Sequence, residues 1–203
     1  MRRGAFVVII GPDGVGKTSL ARQLIADHGP PTLYIHFRPR FRIRPPERPR
    51  VEGVPPPKRM DPGPRPLGWV RLARSVLLFW GGYLRWVRPA VRNGALVVGD
   101  RWVYGYVGQP GALGFGGPSW LAQLATRITP GPDLLVRLRA PADVIALRKG
   151  DLRASEIARE DQTWDTLSVA AWPVDASADP SQISAAVASK LAEGNESRSS
   201  APV

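Results

Sequence analysis

The sequence predicts an α/β fold: a doubly wound, mostly parallel five-stranded sheet with helices on both faces. Three observations carry this. Short apolar runs alternate along the chain with segments of helical periodicity. The first run, Ala5 to Ile10, is unbroken, as a strand buried on both faces requires. It leads directly into Gly-Pro-Asp-Gly-Val-Gly-Lys-Thr over residues 11–18, and then into Leu20, Ala21, Leu24 and Ile25 at helical spacing.

The elements follow in order. Asp27-His28-Gly29-Pro30-Pro31 stops the first helix, and Thr32 to Phe37 is a second strand. Residues 38–66 hold ten prolines and a net charge of +6, so they read as a flexible Pro/Arg-rich insert. Over 67–92, Trp69, Leu72, Ala73, Val76, Leu77, Trp80 and Leu84 form a stripe at i, i+3, i+4 and i+7 that is expected mostly in the core. Phe79 and Tyr83, one turn apart, are candidates to face an acceptor instead. Asn93-Gly94 closes that segment, and Ala95 to Gly99 is a third strand that runs into Asp100-Arg101-Trp102. Residues 104–118 are Gly-rich and read as an irregular loop bordering the site. Pro118 to Ile128 is helical, Asp133 to Leu138 is a fourth strand, and Pro141 opens a short helix. A charged helical stretch covers 155–160, and Leu167 to Val174 is the fifth strand. Pro180 to Leu191 is a last helix, and a disordered tail is expected over 194–203. One domain, residues 1–193, accounts for the rest.

The spacing G-x-x-x-x-G-K-[ST], set between a strand and a helix, is that of the phosphate-binding loop, and so of a P-loop three-layer α/β/α domain. Backbone N–H groups converge on a phosphate there, and the positive end of the helix adds to the attraction. The expected nucleotide-contacting set is Gly11, Asp13, Gly14, Val15, Gly16, Lys17, Thr18 and Ser19. Lys17 is suited to bridge the β- and γ-phosphates of ATP, and the Thr18 hydroxyl to ligate Mg²⁺. Asp100 ends an apolar strand at the edge where ligands bind in such sheets, which makes it the candidate partner of Thr18 on the metal, directly or through water. A helix cap, or a structural pair with Arg101, is the plainer alternative for Asp100.

Composition narrows the classes. The chain has no cysteine and two histidines, His28 and His36, which excludes a disulfide framework or thiolate metal site and leaves too little for a histidine metal centre. No apolar run approaches the ~18 residues of a membrane span, and the apolar start is too short for a secretory leader, so a cytoplasmic protein is expected. The net charge of +11 is compatible with nucleic acid or with phosphorylated small molecules. Over half of it sits in the 38–66 insert, which carries no aromatic-rich RNA motif. Nucleic-acid binding or nucleotide sensing therefore ranks below phosphoryl transfer.

In order along the chain, the phosphate loop, Val-Val-Gly-Asp-Arg-Trp, Pro-Asp-Leu-Leu-Val-Arg-Leu and Arg-Lys-Gly-Asp-Leu resemble the thymidylate kinase-like P-loop kinases over roughly residues 5–192. His36-Phe37-Arg38-Pro39 and the Gly-rich loop are more similar to a bacterial subgroup than to the housekeeping enzymes. The resemblance implies transfer of the ATP γ-phosphoryl group to a nucleoside monophosphate (dTMP to dTDP), with Mg²⁺, and a homodimer as one option. It implies that Asp13 bonds an acceptor sugar hydroxyl and that Arg101 grips the acceptor phosphate. Phe79, Tyr83 and Trp102 would line the acceptor, and residues 140–163 would form a lid. Some relatives carry a catalytic arginine at the position of Gly14; here Arg148, Arg153 or Arg159 of the lid would replace it. Tyr83 stands where housekeeping enzymes have an acceptor-binding arginine, and Trp102 where they have tyrosine. The alternative acceptor is a nucleoside or other small hydroxyl compound, for which Asp100 or Asp13 would serve as base; an anionic phosphate acceptor requires none.

Overall fold

The computed structural model describes residues 4–38, 40–43, 65–149 and 154–199. The expected 38–66 insert lies largely outside them, as does Arg153. Strand β1 (Ala5–Ile10) is central, flanked by β4 (Leu96–Asp100) on one side and β5 (Leu134–Arg139) on the other. Strand β2 (Thr32–Arg38) pairs in parallel with β4, and β6 (Trp172–Asp175) in parallel with β5. These five parallel strands carry one antiparallel addition, β3 (Arg40–Ile43), which forms an edge strand inside the stretch expected to be an insert without structure. The sheet order is β3-β2-β4-β1-β5-β6.

The side-chain alternation of β1 builds two cores. Phe6, Val8 and Ile10 face one layer; Ala5, Val7 and Ile9 face the other. The second layer holds α1 (Lys17–His28), α6 (Ala142–Lys149) and α8 (Pro180–Ser199), which bring Leu20, Leu24, Ile145, Ile183 and Val187 against the sheet. The first layer holds α2 (Arg65–Gly82), then a π-helical turn over Tyr83–Val87, then α3 (Arg88–Arg92). It continues with α4 (Gly105–Gly108) and α5 (Ser119–Ile128). Helix α7 (Ala154–Asp165) reaches both layers: Trp164 packs in the first and Ile157 in the second.

Four expectations are corrected. Of the stripe on 67–92, Leu72 is buried and Val76 packs against the core, but Leu77 is 72% exposed, and Trp69, Trp80 and Leu84 are also exposed. Helix α2 is apolar on more than one face, and the face with Leu72, Ser75 and Phe79 is the one turned inward. The fifth strand is shorter than predicted, starting at Trp172 while Leu167, Val169 and Ala171 pack in a loop against the first core. The Gly-rich stretch 104–118 contains short helical turns, and its Tyr104, Tyr106 and Val107 belong to the core. Helix α8 continues through Gly194 to Ser199, where a disordered tail was expected.

Gly108 allows α4 to lie directly on α7: a Cβ there would sit 2.1 Å from the Trp164 indole. Gly81, inside α2, has nothing within 4 Å of such an atom. Gly108→Ala should therefore cost about 1–3 kcal/mol of stability, whereas Gly81→Ala should add up to about 1 kcal/mol by raising helix propensity. Urea unfolding of the two variants should show these opposite signs; a neutral Gly108→Ala would contradict the close α4–α7 contact.

Candidate functional site

The chain leaves β1 at Ile10 and turns through residues 11–16 into α1. Gly11, Gly14 and Gly16 take φ of 140°, 93° and 106°, a region glycine enters freely. Gly11 is doubly constrained, because a Cβ would lie 2.5 Å from the Leu138 carbonyl oxygen. Gly16 is the N-cap of α1 and supplies no side-chain hydrogen bond, so the first N–H groups of the helix open into the turn. Such an end favours an anion.

Lys17 is only 6% exposed and curls back over this turn. Its ammonium donates to the carbonyl oxygens of Gly11 at 2.9 Å and Pro12 at 2.7 Å, and lies 3.5 Å from Asp13 Oδ1. Burial pushes its pKa below the ordinary lysine value, against the pull of Asp13. Thr18 is half-buried and Ser19 exposed at the start of α1.

Parallel pairing sets His36, Asp100 and Ile9 side by side across β2, β4 and β1. Asp100 thus stands at the same edge as the turn. Its Oδ2 accepts from Tyr34 Oη at 3.3 Å and lies 3.0 Å from His36 Nδ1. Its Oδ1 has no hydrogen bond among the described residues and lies 3.9 Å from Arg101 Nε. Burial works against the charge, but the His36 hydrogen bond together with Arg101 and Lys17 holds the carboxyl below its ordinary pKa. The carboxylate is therefore enclosed by donors from His36 and Tyr34 and by the Arg101 cation. Among the described residues no group of three His, Asp or Glu side chains is disposed to hold a metal ion.

Arg101 ion-pairs with Asp13 Oδ1. Burial opposes its charge, but Asp13, Asp100 and Glu160 together outweigh that and raise its pKa. Arg101 and Trp102 take φ of 69° and 47°, the only non-glycine residues with positive φ among those described. Two adjacent residues in this sparsely populated region mark stored backbone strain at the site. Trp102 is fully buried, its Nε1 donating to the Pro130 carbonyl at 3.0 Å and its ring 4.6 Å from that of Phe79, also fully buried. Both are buried in the first core. Tyr83 is partly buried, its ring 6.4 Å from that of Phe6.

Of the lid arginines, Arg148 belongs to α6 and Arg159 is exposed on α7. The residue of α7 that meets the turn is its neighbour Glu160. Its Oε1 accepts the Asp13 backbone N–H at 3.1 Å and also the side-chain amide of Gln109. Arg137 of β5 fastens the same helix, donating to Asp165 at 2.7 Å and Asp161 at 2.9 Å. One strand over from the turn, at the carboxyl ends of β5 and β6, a cavity of about 420 Å³ is lined by Arg139, Pro141, Asp161, Val174 and Asp175 among others. Sequence reasoning gave no role to His36, Tyr34, Gln109 or Glu160. For Tyr34 and His36 a signal was present: they alternate onto one face at the carboxyl end of a strand. For Gln109 and Glu160 there was none, since their contacts join distant parts of the chain.

Fold and site together define an α/β protein with a glycine turn, a buried lysine and a buried carboxylate at the carboxyl edge of a parallel sheet. No protein-family model matches the chain, and no curated protein matches it. No helix among the described residues is long and apolar enough to cross a membrane.

Burial pushes the Glu160 pKa up from its ordinary 4.5, and the charge of Asp13 adds to the shift. Ionising Glu160 therefore favours the unfolded chain: the destabilisation is absent below pH 4.5, grows as pH rises past it, and is complete above the raised folded value. Glu160→Gln keeps an acceptor for the Asp13 N–H and removes the charge. In urea unfolding of the ligand-free protein, the variant should match the parent near pH 4 and exceed it near pH 7. A variant no more stable at pH 7 would rule out the burial effect.

Proposed function

We propose that this protein is a P-loop phosphotransferase that moves the γ-phosphoryl group of ATP to a small-molecule acceptor. The observation that carries this reading is the turn itself. Three glycines hold a backbone open to an anion, and a buried ammonium lies against it, bonded to the Gly11 and Pro12 carbonyls and close to Asp13. A triphosphate would replace the Gly11 and Pro12 carbonyls as partner of Lys17. The resemblance to thymidylate kinase-like enzymes points the same way and suggests dTMP as acceptor, within a cytoplasmic kinase.

Mg²⁺ fits the residues present. Thr18 is half-buried in the first turn of α1, and a magnesium ion bound with nucleotide phosphates needs few protein ligands, since phosphate oxygens and waters supply the rest. Thr18 would hold it, and the ion would neutralise charge on the β- and γ-phosphates. The chain's own contribution is positioning and electrostatics. Backbone N–H groups of residues 14–18 orient the phosphates, and Lys17 follows the charge that moves to the leaving oxygen. Arg101, held between Asp13 and Asp100, stands beside the acceptor edge. The cavity lined by Arg139 and Val174, one strand over from the turn, offers room for the rest of the nucleotide.

Lys17→Ala should lower Mg²⁺-ATP-dependent turnover about a hundredfold or more, while circular dichroism and thermal unfolding show the fold retained. Full turnover by a folded Lys17→Ala protein would overturn the reading.

A further inference from the structure

We infer that a cavity at the amino edge of the sheet, away from the phosphate turn, is a second binding site, and that it takes a neutral ring compound bearing a carbonyl group.

The cavity is set by how β5 and β6 begin. Asp133, just before β5, is locked to β1. Its backbone N–H donates to the Phe6 carbonyl at 2.8 Å, and its Oδ2 accepts the Phe6 N–H at 3.0 Å. Phe6 stands near the start of β1, so this edge is opposite to the one where Gly11 leaves the sheet. The two edges are roughly 15 Å apart at the usual strand rise of ~3.3 Å per residue. The segments leading into β5 and β6, with Tyr104 and the last turn of α5, bound a cavity of about 670 Å³. That is within the size range of small-molecule sites.

Three observations give the site its chemistry. The first is Thr129. It lines the cavity, is 4% exposed, and its Oγ1 has no hydrogen-bond partner among the described residues. Thr126, one turn earlier and also buried, satisfies its own hydroxyl on the Gln123 carbonyl at 2.7 Å. A buried hydroxyl without a partner is uncommon and unfavourable, and a ligand oxygen in the cavity supplies what Thr129 lacks.

The second is a further hydroxyl on the same wall. Tyr104 also lines the cavity, and its Oη lies beside Gly131, where a Cβ would stand 3.4 Å from it. Gly131 follows Thr129 by two residues, so both hydroxyls stand against one short connection. Each can donate, and a carbonyl oxygen has the two lone pairs to accept two donors.

The third is the rest of the lining. Leu135, Val169 and Ala171 give apolar walls, and Trp172 and Pro173 add ring faces suited to a flat body. The two charged residues, Arg127 and Asp133, are exposed and opposite in sign. The interior therefore offers no counterion to a charged ligand, which would be desolvated without compensation. A neutral ring with one carbonyl turned toward Thr129 matches all three. Nothing in this site depends on the nucleotide, so a ligand binds there whether or not the turn holds ATP.

The test is ligand-observed NMR on the full chain, with 2-quinolone as the probe. Quinoline is its match without a carbonyl, and quinoline-2-carboxylate its charged match. Thr129→Val keeps the side-chain shape and removes the hydroxyl; Gly131→Leu, at an exposed position, crowds the cavity beside Tyr104. The expected result is binding of 2-quinolone in preference to both matches, unaffected by saturating Mg²⁺-ATP. Its affinity should fall about tenfold in Thr129→Val and be lost in Gly131→Leu. Without ligand, Thr129→Val should unfold at a higher urea concentration than the parent, because no unpaired hydroxyl is buried; the lost affinity is then not damage to the fold. Equal binding of either match overturns the proposal, as does unchanged affinity in Thr129→Val. Displacement of 2-quinolone by Mg²⁺-ATP assigns it to the turn and overturns the proposal as well. Absence of 2-quinolone binding by the parent does the same, leaving solvent as the partner of Thr129. Should Thr129→Val fail to fold, Gly131→Leu decides, since retained binding there rules the cavity out.

Discussion

A carboxylate buried to 4% exposure is unfavourable unless donors and cations surround it, and Asp100 draws the site around itself to meet that need. Tyr34 and His36 come from the neighbouring strand, Arg101 from the next residue, and Lys17 contributes from across the turn. Each partner is tied to a second group in turn. Arg101 and Lys17 share Asp13, and Asp13 presents its backbone N–H to Glu160 of α7. Removing the one charge would leave His36 without its hydrogen-bond partner and Arg101 with Asp13 as its close anion, so the members of the network depend on one another.

How much of this was legible depends on whether the cause was local. The strand Ala5–Ile10, the glycine turn and the start of α1 follow from contiguous residues, and the structure has them at the positions the sequence indicates. The strand that ends in Asp100 and the helix over residues 65–92 were legible for the same reason. Pairing was not. That His36 lies opposite Asp100 depends on β2 lying beside β4, a neighbour separated from it by the whole of α2. Helix α2 shows a different limit. With Leu72 and Phe79 on one face and Leu77 and Trp80 on others, periodicity offers more than one apolar stripe and cannot choose between them. The sheet and the preceding Phe6 made the choice, placing Phe79 against Trp102 and Trp102 against Phe6.

The turn and helix α7 answer to different physics. The turn is shaped by steric exclusion: the Leu138 carbonyl leaves no room for a side chain at Gly11, and the φ angles of three glycines follow the path that remains. Helix α7 is placed by a buried Trp164 packed on Gly108 and by ion pairs to Arg137 and Arg139 along its outer side. The first is insensitive to solvent composition. The second includes exposed charges, whose attraction is screened by salt.

The paired left-handed residues Arg101 and Trp102 set fold and chemistry at odds. Glycine would relax the backbone at either position, yet at 101 it would take away the cation between Asp13 and Asp100, and at 102 the ring that closes the first core. Selection for thermal robustness alone would push position 101 toward glycine and would empty the site as it did so. Arginine at position 101 thus exchanges backbone ease for a cation held between two carboxylates.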